Sequence, residues 1–331
     1  MRKILVLVLL AATVAGAWYW ERHNFTAPGP SQKYTVVLVR PGDHVVTIAR
    51  HLADAGVVRN ADLFRVGLRL RNLHTTLKAG EFMFPPHASM ASVAGIIASG
   101  RSIQHKQTVA EGLTSEMIVR LLEANPVLVG AAGAVPAEGT LLPETYLFTR
   151  GTTRAELIAR MKAAQAKLLA QLWPARARDL PLRTPQEAVT LASMVEKETS
   201  IPEERRHIAG VFVNRLRLGM RLQSDPTIIY DITGGYPLGR GIRQSELERA
   251  SPHNTYAIDG LPPSPICNPG KDAIAAVLDP AATRDLYFVA DGSGGHAFSE
   301  TQAGQNRNVT NWRRIERDRK RSQLPVPHPR R

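Results

Sequence analysis

Cysteine is almost missing: of 331 residues only Cys267 carries a thiol, which excludes an internal disulfide framework and a cysteine-rich metal site. The scarcity leaves the compartment open, because many exported proteins also lack disulfides. The histidines have no paired helical spacing, and His253 and His296 stand alone in loop-forming stretches, so no metal is implied and no cofactor is expected. The glycine cluster Gly292-Ser293-Gly294-Gly295 has no lysine and no helix after it, which argues against a phosphate loop. Negative charge is also short, 29 acidic against 42 basic residues, and the formal net charge is +13. Such a balance suits nucleic acid, anionic lipid or an acidic polymer. Nucleic acid is disfavoured, since there is no zinc-finger spacing, no glycine-rich RNA-binding signature and no run that interleaves basic and aromatic residues.

What is present reads as globular, with 44% hydrophobic and 21% charged residues and length enough for two modest domains. Arg2 and Lys3 precede an uncharged stretch from Ile4 to Trp20. At about 1.5 Å per residue this stretch reaches roughly 25 Å, the short end of a membrane span. Ala15-Gly16-Ala17 fits a signal-peptidase site, whereas Trp18, Tyr19 and Trp20 suit a membrane interface and favour a retained single-pass anchor. By the positive-inside rule the N-terminal tip stays cytoplasmic and the bulk is exported. At the other end, Arg313, Arg314, Arg317, Arg319, Lys320, Arg321, Arg330 and Arg331 outweigh Glu316 and Asp318, and residues 313–331 read as a solvated basic tail.

Between these ends the composition gives a linker at 21–33, with Pro28, Gly29, Pro30 and Ser31. A strand follows over Tyr34–Val39, then a turn at Pro41-Gly42-Asp43, helices carrying Val46–Leu52 and Asn60–Arg71, and a returning strand at Lys78–Pro85. A short helix from Ser89 or Ser92 closes at Gly100. A strand at Gln107 leads to a helix from Thr114, and Thr153–Trp173 is a long amphipathic helix. Glu138–Tyr146 is a polar and aromatic segment that either packs beneath a helix or touches substrate. Further on, Lys271–Leu278 is a helix and Leu286–Val289 a strand, with Gly292–His296 turning a hairpin.

The most informative stretch is Thr184–Tyr230. Thr184, Pro185 and Glu187 are a helix start. On a helical wheel Ala188, Leu191, Ala192 and Val195 give an apolar face, with Glu198 within roughly 70° of its centre and Glu196 about 90° away. Glu198 therefore sits against apolar surface near a helix C-terminus, two effects that raise a carboxyl pKa. A carboxyl still protonated near neutral pH can hand a proton to a departing ether-like oxygen. The plainer reading of Glu198 is a helix-end salt bridge to Arg205 or Lys197. A second helix opens at Ser200-Ile201-Pro202 and ends at Gly219, and a polar turn, Met220–Thr227, leads to the run Ile228-Ile229-Tyr230.

Ala192–Thr199, Val213-Asn214-Arg215-Leu216, Met220–Thr227 and Tyr230 together resemble the YceG-like endolytic murein transglycosylases, and the likeness continues through Asn254-Thr255-Tyr256, Gly260–Pro263, Asn268-Pro269-Gly270 and Tyr287–Ala290. The 34–103 pattern is similar to a LysM sugar-binding module, and a structural spacer of the same shape is the alternative. The resemblance implies an α+β architecture: anchor 1–20, linker 21–33, LysM-like βααβ module 34–103, catalytic domain 104–312 and tail 313–331. It also implies a lyase acting on peptidoglycan, anchored in the inner membrane and facing the periplasm, that leaves 1,6-anhydro ends within nascent strands and works beside glycan-polymerising synthases. Glu198 matches the single catalytic acid. Asn214, Gln223, Ser224, Asp225, Tyr230, Asn254 and Tyr256 are expected to line the substrate cleft, and Glu196 and Asp225 are the second-carboxylate candidates if the enzyme were a hydrolase. Spacing alone leaves lyase and hydrolase open, and a non-catalytic wall-binding scaffold is the remaining alternative.

Overall fold

A computed structural model describes residues 2–322, which form two compact units. The first comprises residues 2–106 together with 127–129 and 147–152. It begins with α1 (Arg2–Thr26), followed by β1 (Thr35–Val39), α2 (Val45–Asp54), α3 (Ala61–Leu70), β2 (Gly80–Phe84) and α4 (Met90–Ser99). β1 and β2 pair antiparallel, with Thr35 opposite Phe84 and Val39 opposite Gly80. Alternation sends Val37 and Val39 inward and leaves Val36 in solvent. Asn60 caps α3 by accepting the Leu63 N–H (2.9 Å), and Gly100 closes α4 in the left-handed conformation. Segment 147–152 belongs here because Arg150 Nε reaches Glu81 Oε1 at 2.9 Å.

The expected linker at 21–33 is corrected at its start: α1 continues to Thr26, and its last turn is docked. Phe25 is fully buried and stacks on Phe64 with ring centroids 6.2 Å apart, while Arg71 lies over its face at 4.0 Å. Glu21, almost fully buried, accepts from Arg71 Nη1 at 2.7 Å. Gly67 makes room for this seat, since a Cβ there would sit 2.2 Å from the Phe25 ring. Read alone, Glu21-Arg22-His23-Asn24 is a polar flank to an apolar span. Only the packed structure supplies Phe25 with its socket.

The second unit comprises residues 107–126, 130–146 and 153 onward. β3 (His105–Thr108) and β4 (Thr145–Phe148) form a two-stranded sheet. The remaining elements are α5 (Ser115–Glu123), α6 (Arg154–Leu172), α7 (Pro185–Glu198), α8 (Pro202–Arg217), α9 (Asp225–Thr233), α10 (Gln244–Leu247), α11 (Lys271–Leu278), β5 (Tyr287–Ala290), β6 (His296–Ser299) and α12 (Gln302–Ser322). α7 is the axis of this unit. Thr184 caps it by accepting the Glu187 N–H (3.2 Å), and Ala188 through Val195 are buried without a break. A helix covered all round has no single apolar face, so the wheel understated how deeply α7 lies. Its core partners include Ile208, Ala209, Phe212 and Val213 of α8 and Ile274 and Val277 of α11.

Three local expectations shift. α8 is opened not by Ser200 but through Thr199, whose Oγ1 accepts the Ile201 N–H (3.0 Å) and donates to Glu204 (3.1 Å). Ile228-Ile229-Tyr230 lies inside α9, which Asp225-Pro226 begin as a first helical turn. Residues 313–322 are not tail but the end of α12, which packs on the β5–β6 hairpin; 323–331 lie outside the described residues.

Candidate active site

Glu198 is the last residue of α7, and the chain turns away through Thr199–Ile201. Its carboxyl does not pair with Arg205 or Lys197. It accepts instead from Ser224, Oγ to Oε1 at 2.5 Å. Ser224 is buried and immobilised from three sides: its N–H donates to Thr255 Oγ1 (2.9 Å), its carbonyl accepts from Thr227 Oγ1 (2.6 Å), and the two threonine hydroxyls meet at 3.0 Å. Just before it, Gln223 holds a left-handed φ of 52°, with its N–H tied to the Thr255 carbonyl (3.1 Å). A strained residue held by its neighbours fixes the direction of the serine beside it.

Burial pushes the Glu198 pKa up to about 7; the Ser224 hydrogen bond opposes this, the Asp225 charge adds to it, and the Arg215 charge opposes it. Asp225 opens α9 and accepts from Tyr256 Oη at 2.6 Å. Burial drives the Tyr256 phenol far above its ordinary range, helped by the Asp225 and Glu198 charges, so it stays a donor. Arg215, within the Val213–Leu216 motif, is a further residue of the site beyond those expected from the sequence. It is buried, donates to the carbonyls of Leu286 (2.6 Å) and Leu222 (2.8 Å), and reaches Gln223 Oε1 (3.4 Å). Its one sequence signal was an arginine on a helix dominated by buried residues, where an unpaired charge is not tolerated.

The expected cleft residues divide. Glu198, Ser224, Asp225 and Tyr256 come together, with Gln223 behind them against Arg215. Asn214 is elsewhere engaged, its amide donating to the Thr283 (2.9 Å) and Asp285 (3.2 Å) carbonyls. Asn254 is fully buried and clamps the carbonyls of Leu247 (3.0 Å) and Arg249 (2.7 Å). Tyr230 packs edge-on against His253 at 4.9 Å, and its phenol is pushed up to about 12 by burial and by the Glu138 and Asp231 charges. Glu196 accepts the Gly270 N–H (2.9 Å) and faces Arg205 at 3.7 Å, within a cluster that includes Glu111 and Asp272. That is a structural anchor for the start of α11, not a partner for Glu198.

His253 lines up with Asp231 (2.9 Å) and Ser264 (2.8 Å), a nucleophile-like relay. Ser264 is followed by Pro265, which has no N–H to hold an oxyanion, and the relay serves to pin the proline-rich 260–266 loop to α9. Among the described residues no three His, Cys, Asp or Glu side chains gather as a metal site.

The arrangement is a mixed helix and strand scaffold presenting one partly desolvated carboxyl beside a fixed hydroxyl, a tyrosine and a second carboxylate. A crystal structure of a YceG-like protein from Listeria monocytogenes shares the fold, with a TM-score of 0.50 and 28% identity over 84% of this chain and 99% of that one. The YceG-like family matches residues 37–311, and the chain belongs to that family. Similar relatives are the endolytic murein transglycosylases of Streptococcus pneumoniae strain D39, 30% identical over 92% of this chain and 63% of that protein, and of Bacillus subtilis, 32% identical over 66% of this chain and 61% of that protein. The chain thus spans less than two thirds of the length of these curated relatives.

Proposed function

We propose that this protein is a peptidoglycan lytic transglycosylase in which Glu198 is the acid and then the base. The observation that carries the reading is the half-buried Glu198 carboxyl, its pKa near 7, hydrogen-bonded to one fixed serine. Ser224 occupies Oε1, so Oε2 is the oxygen that carries the proton. Glu198 Oε2 protonates the glycosidic oxygen as the bond from the muramic C1 breaks. The resulting carboxylate then removes the proton from the same sugar's 6-hydroxyl as that oxygen closes on C1. The proton returns to Glu198, the product ends in a 1,6-anhydro ring, and no water is consumed. Tyr256 stays protonated and donates to Asp225, and Arg215 steadies the ionised form of Glu198 between the two transfers.

Asp225 favours a second reading, hydrolysis by a muramidase, because it is a carboxylate whose charge already acts on Glu198. Digestion of purified glycan strands followed by mass analysis separates the two, since anhydro and reducing ends differ by one water. Absence of any new end, in wild type as in Glu198→Gln, would leave only a wall-binding scaffold. We further propose that α1 is a single-pass anchor in the inner membrane with the remainder in the periplasm. The 34–103 segment would bind glycan as a LysM-like module, and 104–312 would form the catalytic domain. Cutting nascent strands next to glycan-polymerising synthases would limit strand length. The support is the length and exposure of α1, the strand-helix-helix-strand order and the family.

A further inference from the structure

The exposed apolar residues of the first unit are not confined to α1. Val66 and Leu70 of α3 are 50% and 60% exposed, and with the half-buried Leu63, which also packs on the core, they form a stripe at i, i+3 and i+7 beside the buried Phe64, Gly67 and Leu68. This stripe and the side chains of Val14 and Trp18 from α1 line one open cavity of about 790 Å³. Glu21, Asn24 and Ala27 line the same cavity, so the stripe runs beside both the last apolar turns of α1 and its docked end.

The apolar stretch Ile4–Trp20 is about 5 Å short of a hydrocarbon core roughly 30 Å thick. The acidic residues at this end are paired or withdrawn. Glu21 is buried against Arg71, and Asp62 at the cavity rim pairs with Arg65 at 2.7 Å. Exposed cations stand around the same rim: Arg59 lines the cavity, Arg22 lies over Trp18 at 5.2 Å, and Arg69 flanks Leu70.

We propose that the Leu63–Val66–Leu70 face of α3 is a membrane-docking surface, inserted into the headgroup and upper acyl region of the leaflet from which α1 emerges, with Arg22, Arg59 and Arg69 on anionic phospholipid headgroups. The occupant of the α1–α3 groove is lipid. Apolar side chains gain by leaving water, the stripe completes the short apolar span, and guanidinium groups near an anionic surface add attraction. The inference rests on the reading of α1 as a membrane anchor. Its consequence is that the first unit is held against the bilayer and does not swing on a free tether, because Phe25 and Glu21 lock α1 into it.

The test uses the full chain in nanodiscs of phosphatidylcholine and phosphatidylglycerol. Single cysteines are introduced by Val66→Cys, Leu70→Cys, Leu9→Cys or Met83→Cys and spin-labelled; the native Cys267 is fully buried and stays silent. Oxygen concentrates in lipid and a nickel chelate in water, so their accessibility ratio reports depth. We expect labels at 66 and 70 to give a ratio several-fold above that of position 83, an exposed site on β2, and to approach that of position 9. If position 9 reads as lipid while 66 and 70 match 83, the docking surface is overturned and the anchor stands. If position 9 itself reads as water, the anchor and the docking surface fall together.

Discussion

Ser224→Ala is the sharpest test of how the acid is tuned. The serine hydroxyl favours the ionised form of Glu198, and a hydrogen bond to a charged group is worth about 1.5–3 kcal/mol. At about 1.4 kcal/mol per pH unit, removing it should raise the Glu198 pKa from about 7 by roughly one to two pH units. In the proposed mechanism Glu198 must hold its proton to start the reaction, so activity should fall as pH rises through that pKa. The alkaline limb of the rate profile should accordingly move from near pH 7 to roughly pH 8–9. Asp225→Asn removes a like charge and should move the limb the opposite way. The assay is the initial rate of end formation from purified glycan strands between pH 5 and 10, read by the position of the limb and not its height, because either change can also disturb positioning. A limb that stays put in Ser224→Ala, or moves down, refutes the assignment of Glu198 as the proton donor held by Ser224.

Glu198→Gln should cut strand scission by about 10²-fold or more with the thermal midpoint retained. Glu196→Gln should keep scission but weaken the fold by about 1–3 kcal/mol, because Arg205 loses a buried counter-charge; activity lost in the second and kept in the first would exchange their roles. Glu138, which accepts from Ser115 N–H at 3.1 and 3.0 Å, is pushed up to about 7 by burial. Its contribution to stability is complete below the unfolded value near 4.5 and is lost as pH rises through about 7, roughly 3 kcal/mol in all. Glu138→Gln should flatten the fall in thermal midpoint between pH 5 and pH 8, and an unchanged fall would mean that Glu138 is ionised in the folded chain. Gly67→Ala should displace Phe25 and cost about 1–3 kcal/mol, seen as faster proteolysis between α1 and β1; unchanged proteolysis would mean that the helix end is not seated.

Much of the local structure was legible because its causes are local. The caps at Asn60, Ser89, Thr114, Thr153 and Thr184 each bond to an N–H within three residues, so a short window contains the whole interaction. The same holds for the extent of α11, read as Lys271–Leu278 and found there. α9 reads in sequence as a polar turn and an apolar run, whereas Asp225-Pro226 form its first helical turn. α12 was missed because its composition is dominated by charge, and it is recognised only by the hairpin it covers.

The chain by itself determined where the side-chain-capped helices start, that one apolar segment precedes the folded units, and that a glutamate stands at the end of α7. The tertiary structure alone decided what that glutamate meets. Ser224 is 26 residues away, Thr255 a further 31 from Ser224, and the carbonyls that occupy Asn214 about 70 from it, so no local pattern could say which polar groups converge and which are spent on loops. Pairing across such distances is settled by packing, where every buried polar group must find a partner and the few left facing a carboxyl set its proton affinity.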